Sequence, residues 1–221
     1  LSVLDCQARL TIFKSLRRSL GPWLPTDRSS SILDIACGEG ALLCFLRELG
    51  YTNLAGFDLS PENVAMCHDL GLGFVQQADA LCLSRVSGLG RYATIFAMDM
   101  LEHLPKQRAV SFLEDVRKLL LPGGQAIIQT LNMGSHLGWF HRYGDVTHEF
   151  GLTELSAVSL FMAAGFSRDK IELRPAWNAT TAAGYLREAY LRLVHELLWA
   201  AEGAHRPRIP TRDLLIRAMA S

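Results

Sequence analysis

Two groups of residues in this 221-residue chain have the types and spacing to do chemistry. The first is Asp34-Ile35-Ala36-Cys37-Gly38-Glu39-Gly40, which follows the apolar pair Ile32-Leu33 and leads into Ala41-Leu42-Leu43. That pattern reads as a buried strand, a glycine turn and a helix, the arrangement that brings bare backbone beside a nucleotide. Asp58 closes a second apolar run, at about the spacing with which one βαβ unit offers a carboxylate to ribose hydroxyls. Together they point to a nucleoside-containing cofactor. The second group lies in the glycine- and aromatic-rich segment 132–152, which holds Trp139, Phe140, His141, Tyr143, Asp145, Thr147, His148 and Glu149. Loops of that length in a compact domain are usually functional.

The elements that must position these residues alternate between strand and helix. Apolar residues at helical spacing over 3–20, with Arg9, Lys14, Arg17 and Arg18 between them, predict a leading amphipathic helix (1–20) that stops at Gly21-Pro22. A second helix carries Leu42, Phe45, Leu46 and Leu49 and closes at Gly50. Ser60-Pro61 starts the next, with serine as N-cap and proline at the first helical position. Further strands are expected at 73–77, 93–98 and 125–131, the last after the turn Leu121-Pro122-Gly123-Gly124. Between the last two, Ala109, Phe112, Leu113, Val116 and Leu120 line one helix face. Thr153 caps a helix ending near Gly165, and a strand follows at 170–173. Leu186, Tyr190, Leu193, Val194, Leu197 and Ala201 predict an amphipathic helix over 183–203 whose apolar face covers the sheet, before a last strand at 214–218. This is an α/β chain of one domain, residues 1–221, with the order that a doubly wound parallel sheet requires.

Composition excludes several classes of function. Basic and acidic residues balance at 22 each, so no global field draws the chain to nucleic acid or to an anionic membrane. The five cysteines are odd in number and contain no C-x-x-C pair, which fits a reducing compartment rather than a disulfide framework or a zinc site. Charge or glycine breaks every apolar run before membrane-spanning length, and no signal peptide is evident, so a cytoplasmic protein without membrane insertion is expected. The oligomeric state is not legible.

The turn itself narrows the cofactor. A dinucleotide fingerprint needs a third small residue where this chain has Leu43, and no G-x-x-x-x-G-K-[ST] phosphate loop is present. A cofactor without a pyrophosphate suits the turn. Here the sequence resembles the class I S-adenosylmethionine-dependent methyltransferases over roughly residues 31–166. Residues 34–40 are similar to the family's first motif, with Ala36 where glycine is commoner, and Asp58-Leu59-Ser60-Pro61 to its second-strand acidic motif. Gln77-Ala78-Asp79-Ala80 resembles the turn that faces adenine. Met98-Asp99-Met100-Leu101-Glu102-His103-Leu104 resembles the segment after strand four, and Leu121-Pro122-Gly123-Gly124 the turn before strand five.

The resemblance implies a Rossmann-like, doubly wound seven-stranded sheet, mostly parallel with its last strand antiparallel and helices on both faces. It implies S-adenosyl-L-methionine as cofactor and S-adenosyl-L-homocysteine as product. The implied binding residues are Asp34, Ala36, Cys37, Gly38, Gly40, Asp58, Leu59, Asp79, Ala80 and Met98. Gly38 and Gly40 would permit close approach, Asp58 would accept from two vicinal hydroxyls, Asp79 from the adenine amino group, and Met98 would lie near the sulfonium.

Methyl transfer from a sulfonium needs in-line alignment, exclusion of water and, for a hydroxyl acceptor, removal of a proton. The run Asp145-Val146-Thr147-His148 is similar to that of methyltransferases in polysaccharide and glycolipid assembly, which implies a small-molecule or saccharide acceptor. His148 is the expected general base, oriented by Asp145 or Glu149, with His103 as second choice. His141, Asp145 and His148 could also ligate a divalent metal, but they lie in an irregular loop and no metal is expected. Alternatives are a noncatalytic cofactor-binding or partner-binding subunit, and a protein or nucleic-acid methyltransferase. No N/D-P-P-Y/F run follows strand four, and charge is neutral, so no nucleic-acid partner is expected.

Overall fold

The computed structural model describes residues 6–86, 88–203 and 207–220. Helix α1, Cys6–Leu20, ends at the predicted Gly21-Pro22 break, and residues 1–5 of the expected helix lie outside the described residues. There follow β1 (Ile32–Ile35), α2 (Ala41–Glu48), β2 (Leu54–Asp58), α3 (Pro61–Asp69), β3 (Val75–Gln77), β4 (Tyr92–Met98), α4 (Ala109–Lys118) and β5 (Leu120–Leu131). After these come α5 (Gly138–Gly144), α6 (Glu154–Ala163), β6 (Ile171–Pro175), α7 (Ala182–Glu202) and β7 (Asp213–Met219). The strands form one sheet in the order β3-β2-β1-β4-β5-β7-β6. Neighbours from β3 to β5 are parallel, and β7 runs antiparallel to both β5 and β6.

Alternation along each strand decides what the two faces bury. Leu33, Ile35, Ile95, Ala97 and Ile128 face Phe112, Leu113 and Val116 of α4 and Phe161 of α6. Ile32, Phe96, Ile127 and Leu215 face Leu43, Phe45 and Leu46 of α2 and Phe13 of α1. Such two-sided burial is why these strands read as continuous apolar runs. Ser60 Oγ accepts from Asn63 N–H at 3.2 Å to cap α3, and a reciprocal Thr153–Ser156 capping box starts α6.

Three elements differ from the sequence expectation. The turn at 121–124 lies inside β5, where the pairing with β4 shifts between Tyr92 and Thr94 and Gly123 takes φ +72°. The segment 132–152 is not wholly irregular, because Gly138–Gly144 forms α5. Helix α7 reverses its expected polarity. Leu186, Tyr190, Leu193 and Leu197 are exposed, while Glu188 and His195 are buried. Glu188 explains the reversal. Arg18 of α1 donates to both its carboxylate oxygens at 2.9 and 2.6 Å, and its Oε1 also accepts from the N–H groups of Asn178 and Ala179 at 3.1 and 2.7 Å. A bidentate guanidinium with two amide donors holds the inner face more specifically than apolar contact. His195 Nε2 donates to the Pro207 carbonyl at 2.9 Å on the same face.

Gly40 is the position where packing around the first glycine turn is tightest. Its φ is +78°, and a Cβ there would lie 2.7 Å from Leu72 Cδ1 and 2.9 Å from Cys67 Sγ. Gly40→Ala is expected to cost about 1–3 kcal/mol in urea unfolding through overpacking and left-handed strain. Gly21→Ala, with negative φ and open space, is expected to stay within roughly 0.5 kcal/mol of wild type. Equal effects at the two sites would contradict this account.

Candidate active site

The site begins where the strand order reverses, at the carboxyl ends of the neighbouring strands β1 and β4, the place where open α/β sheets bind ligands. A cavity of about 330 Å³ opens there, lined from the first motif by Asp34, Ala36, Cys37 and Gly38, and by Met98 and Asp99 at the end of β4. Helix α1 walls it with Ile12, Ser15, Leu16 and Ser19, and the sheet adds Gln129, Arg212 and Asp213. Ala36 and Asp99 both have positive φ, +55° and +51°. Left-handed backbone explains why glycine is the easier residue at position 36. Asp99 is held there by its N–H donating to the Gln129 carbonyl at 3.1 Å and by Gln129 Nε2 donating to both its carboxylate oxygens at 2.8 and 2.9 Å.

The wall of this cavity is acidic. Asp34 is 2% exposed, and burial, reinforced by the charge of Asp58, pushes its carboxyl up to about 8. Burial also raises Asp213, although Arg212 pairs with it at 2.9 Å. Within the field of Asp99 and Asp213, burial brings Glu102 up to about 7 while Thr130 Oγ1 donates to it at 2.9 Å. Such a wall favours a cationic ligand, which would restore the negative charge that burial suppresses.

The other sequence-predicted cofactor residues, Gly40, Asp58, Leu59, Asp79 and Ala80, are not in the cavity's lining. Asp58 braces the glycine turn. Its Oδ2 accepts from Gly38 N–H at 2.8 Å, and Oδ1 accepts from Ser60 N–H and Asn63 Nδ2 at 3.0 Å each. Leu59 beside it is exposed, and Gly40 is the N-cap of α2. Asp79 starts the short helical turn containing Ala80, its carboxylate accepting from Leu81 N–H at 2.8 Å. Asp99, Gln129, Arg212 and Asp213 were not singled out from sequence. Asp99 and Gln129 carried a usable signal, since each stands at the carboxyl end of a parallel strand. Arg212 and Asp213, at the start of the antiparallel strand, carried none.

A second cavity of about 530 Å³ adjoins the first and shares Ala176, Trp177, Asn178, Arg212 and Asp213 with it. Leu137, His141, Arg187, Glu188, Tyr190, Leu191, Val194 and Thr211 complete its wall, which mixes apolar with charged side chains. His141 lines the second cavity, while His103 and His148, whose rings meet each other, line neither. Asp145 Oδ1 accepts from the Thr147 hydroxyl at 2.7 Å, which uses the only hydroxyl hydrogen. Thr147 Oγ1 must therefore accept from His103 Nδ1, 2.9 Å away. His148 Nδ1 lies 3.0 Å from the His141 carbonyl and must donate to it. Each ring thus keeps a proton on Nδ1, so that its neutral form carries the lone pair on Nε2, and the ring centroids lie 4.7 Å apart. Asp145 orients His103 through Thr147 rather than holding His148 directly. Ligand atoms of Glu102, His103 and His148 lie within 4.8 Å of one another, a different trio from His141, Asp145 and His148.

The chain is similar to known proteins in sequence and in fold. The chain is 36% identical over 110 residues to a ubiquinone biosynthesis O-methyltransferase of Erwinia tasmaniensis, covering 47% of this chain and 43% of that protein. A protein of the same name from Paraburkholderia xenovorans is 34% identical over 106 residues, 46% of this chain and 44% of the relative. The matched stretch thus spans under half the length of these curated relatives. A SAM-dependent methyltransferase from Archaeoglobus fulgidus superposes with a TM-score of 0.69 at 20% identity, covering 96% of this chain and 94% of that one. Among the described residues no helix is long and apolar enough to cross a membrane. The methyltransferase domain family profile matches residues 7–196, most of the chain, and the chain belongs to that family.

Proposed function

We propose that this chain transfers a methyl group from S-adenosyl-L-methionine to a hydroxyl oxygen of a small-molecule acceptor, releasing S-adenosyl-L-homocysteine. The observation that carries the reading is the acidic cavity at the β1–β4 reversal, which suits a ligand bearing both a sulfonium and an ammonium. Asp34, Ala36, Cys37, Gly38 and Met98 would contact the donor directly. Asp58 would accept from its ribose at the edge of the glycine turn, with Leu59, Asp79 and Ala80 flanking the adenosine end and Gly40 setting the turn. The adjoining cavity would take the acceptor, its Trp177 and Tyr190 packing on an apolar or ring-bearing molecule, a saccharide face included. The names of the curated relatives support oxygen as the methylated atom and a small molecule as acceptor.

In this reading the donor supplies an already activated methyl, and the protein aligns, dries and deprotonates. His148 would take the hydroxyl proton on Nε2 as oxygen attacks carbon and the carbon–sulfur bond breaks. Asp145 and Asp213, both electrostatically coupled to His148, would stabilise the imidazolium formed. His103, fixed by Thr147 and Asp145, would position the neighbouring ring. His148→Ala is expected to lower the single-turnover rate about 10²- to 10⁴-fold with S-adenosylhomocysteine affinity, measured by calorimetry, intact. An unchanged rate at intact affinity removes His148 from the chemistry.

The Glu102, His103 and His148 cluster favours a second reading, in which a divalent cation held there activates the acceptor. Under the general-base reading, exhaustive chelation leaves activity within about twofold of the untreated protein. Activity lost to chelator and restored by a divalent cation would favour the metal instead.

The raised Asp34 pKa carries a signed pH dependence. Its carboxyl binds its proton more tightly folded than unfolded, so this contribution to stability is full below about pH 4 and is lost as pH rises through about 8. Thermal melts of the ligand-free protein are expected to fall over that window, with Asp34→Asn removing part of the fall. Superimposable pH profiles for the two proteins would refute a buried, proton-retaining Asp34.

A further inference from the structure

We propose that the outward face of α7 is the interface of a two-fold homodimer, formed by the same helix of a second copy of this chain. Leu186, Tyr190, Leu193 and Leu197 recur at intervals of four, three and four residues, the spacing of a helix–helix seam. All four point to solvent, at 73%, 68%, 57% and 62% exposure. Ala183 and Ala200 extend the spacing at either end, over a helix of 21 residues, about 31 Å long. The sheet does not claim this face, because the inner side of α7 is fastened through Glu188 and His195.

Size and shape select the occupant. Each large exposed side chain presents on the order of 100 Å². With the exposed Ala183 and Ala200 at its ends, the seam presents roughly 500 Å², toward the upper part of the roughly 300–600 Å² of the largest patch on a monomer. Together with the polar residues that rim the seam, this supplies the apolar core of an interface of about 800 Å² per partner. A lipid surface would call for a broad apolar face opposite a basic one. The seam is instead narrow, and Arg187 and Arg192 on this helix are balanced by Glu196 and Glu202. The stripe is also self-complementary. A two-fold axis near residues 191–192 sets Leu186 against the partner's Leu197 and Tyr190 against the partner's Leu193 in an antiparallel crossing. Tyr190 lines the 530 Å³ cavity too, so the second copy would narrow that cavity's mouth.

The test is sedimentation equilibrium of the full chain, with circular dichroism and S-adenosylhomocysteine binding as fold controls. Wild type is expected at twice its 24.5 kDa mass when studied at about 20 µM. The double variant Leu186→Glu, Leu193→Glu is expected to weaken the dimer by at least roughly 100-fold, with the spectrum unchanged. Leu155→Glu, at an exposed apolar position on α6, is expected to remain dimeric. A monomeric wild type, or a double variant that still dimerises, overturns the proposal. Flotation of a monomeric wild type with phosphatidylcholine–phosphatidylserine vesicles would assign the face to lipid instead. Because the test reads mass and not turnover, its failure is separable from failure of the methyl-transfer reading.

Discussion

Two neighbouring parallel strands whose chain connections leave in opposite directions set the terms for the rest of the molecule. At the β1–β4 reversal the sheet cannot close over its own carboxyl ends, so a crevice is built in. The backbone must turn sharply on both sides of it. Ala36 after β1 and Asp99 after β4 are the two non-glycine residues with positive φ among the described residues. That strain is tolerated because Gln129 clasps one turn through both carboxylate oxygens of Asp99 and Asp58 braces the other by accepting from Gly38 N–H.

Electrostatics at the crevice follow from the same geometry. Alternation along β1 turns Asp34 to the α1–α2 face, beside Ile32, and burial denies its carboxyl the water that would keep it charged. The resulting wall holds suppressed negative charge, Asp34 and Asp213 above all, in a chain whose overall charge is zero. Net charge, which speaks only to the long-range field, therefore conceals a strongly polar interior site.

The order of strands and helices was legible because buried parallel strands announce themselves as apolar runs and helix starts as Ser60-Pro61 or Thr153. The glycine turn and its acidic neighbours were legible for a related reason, since backbone conformation constrains residue type locally. What escaped was set by contacts between distant residues. The inward side of α7 depends on Arg18, 170 positions from Glu188. The orientation of His103 depends on Thr147, 44 positions away. Helix α5, framed by glycines and crowded with aromatics, shows too little periodicity over seven residues to be read as a helix.

Helix α1 has a consequence that reaches beyond packing. One side of it walls the donor cavity through Ile12, Ser15, Leu16 and Ser19, and its Arg18 is clamped to α7. One helix therefore borders both the cavity and the anchor of α7. Conformational entropy that α1 surrenders when either the cavity or the α7 face is filled need not be surrendered again for the other. If the cavity takes the donor and the α7 face a second copy, as proposed, donor affinity and association would share one coupling free energy, equal in both directions, with the Arg18–Glu188 pair as the joint through which it passes.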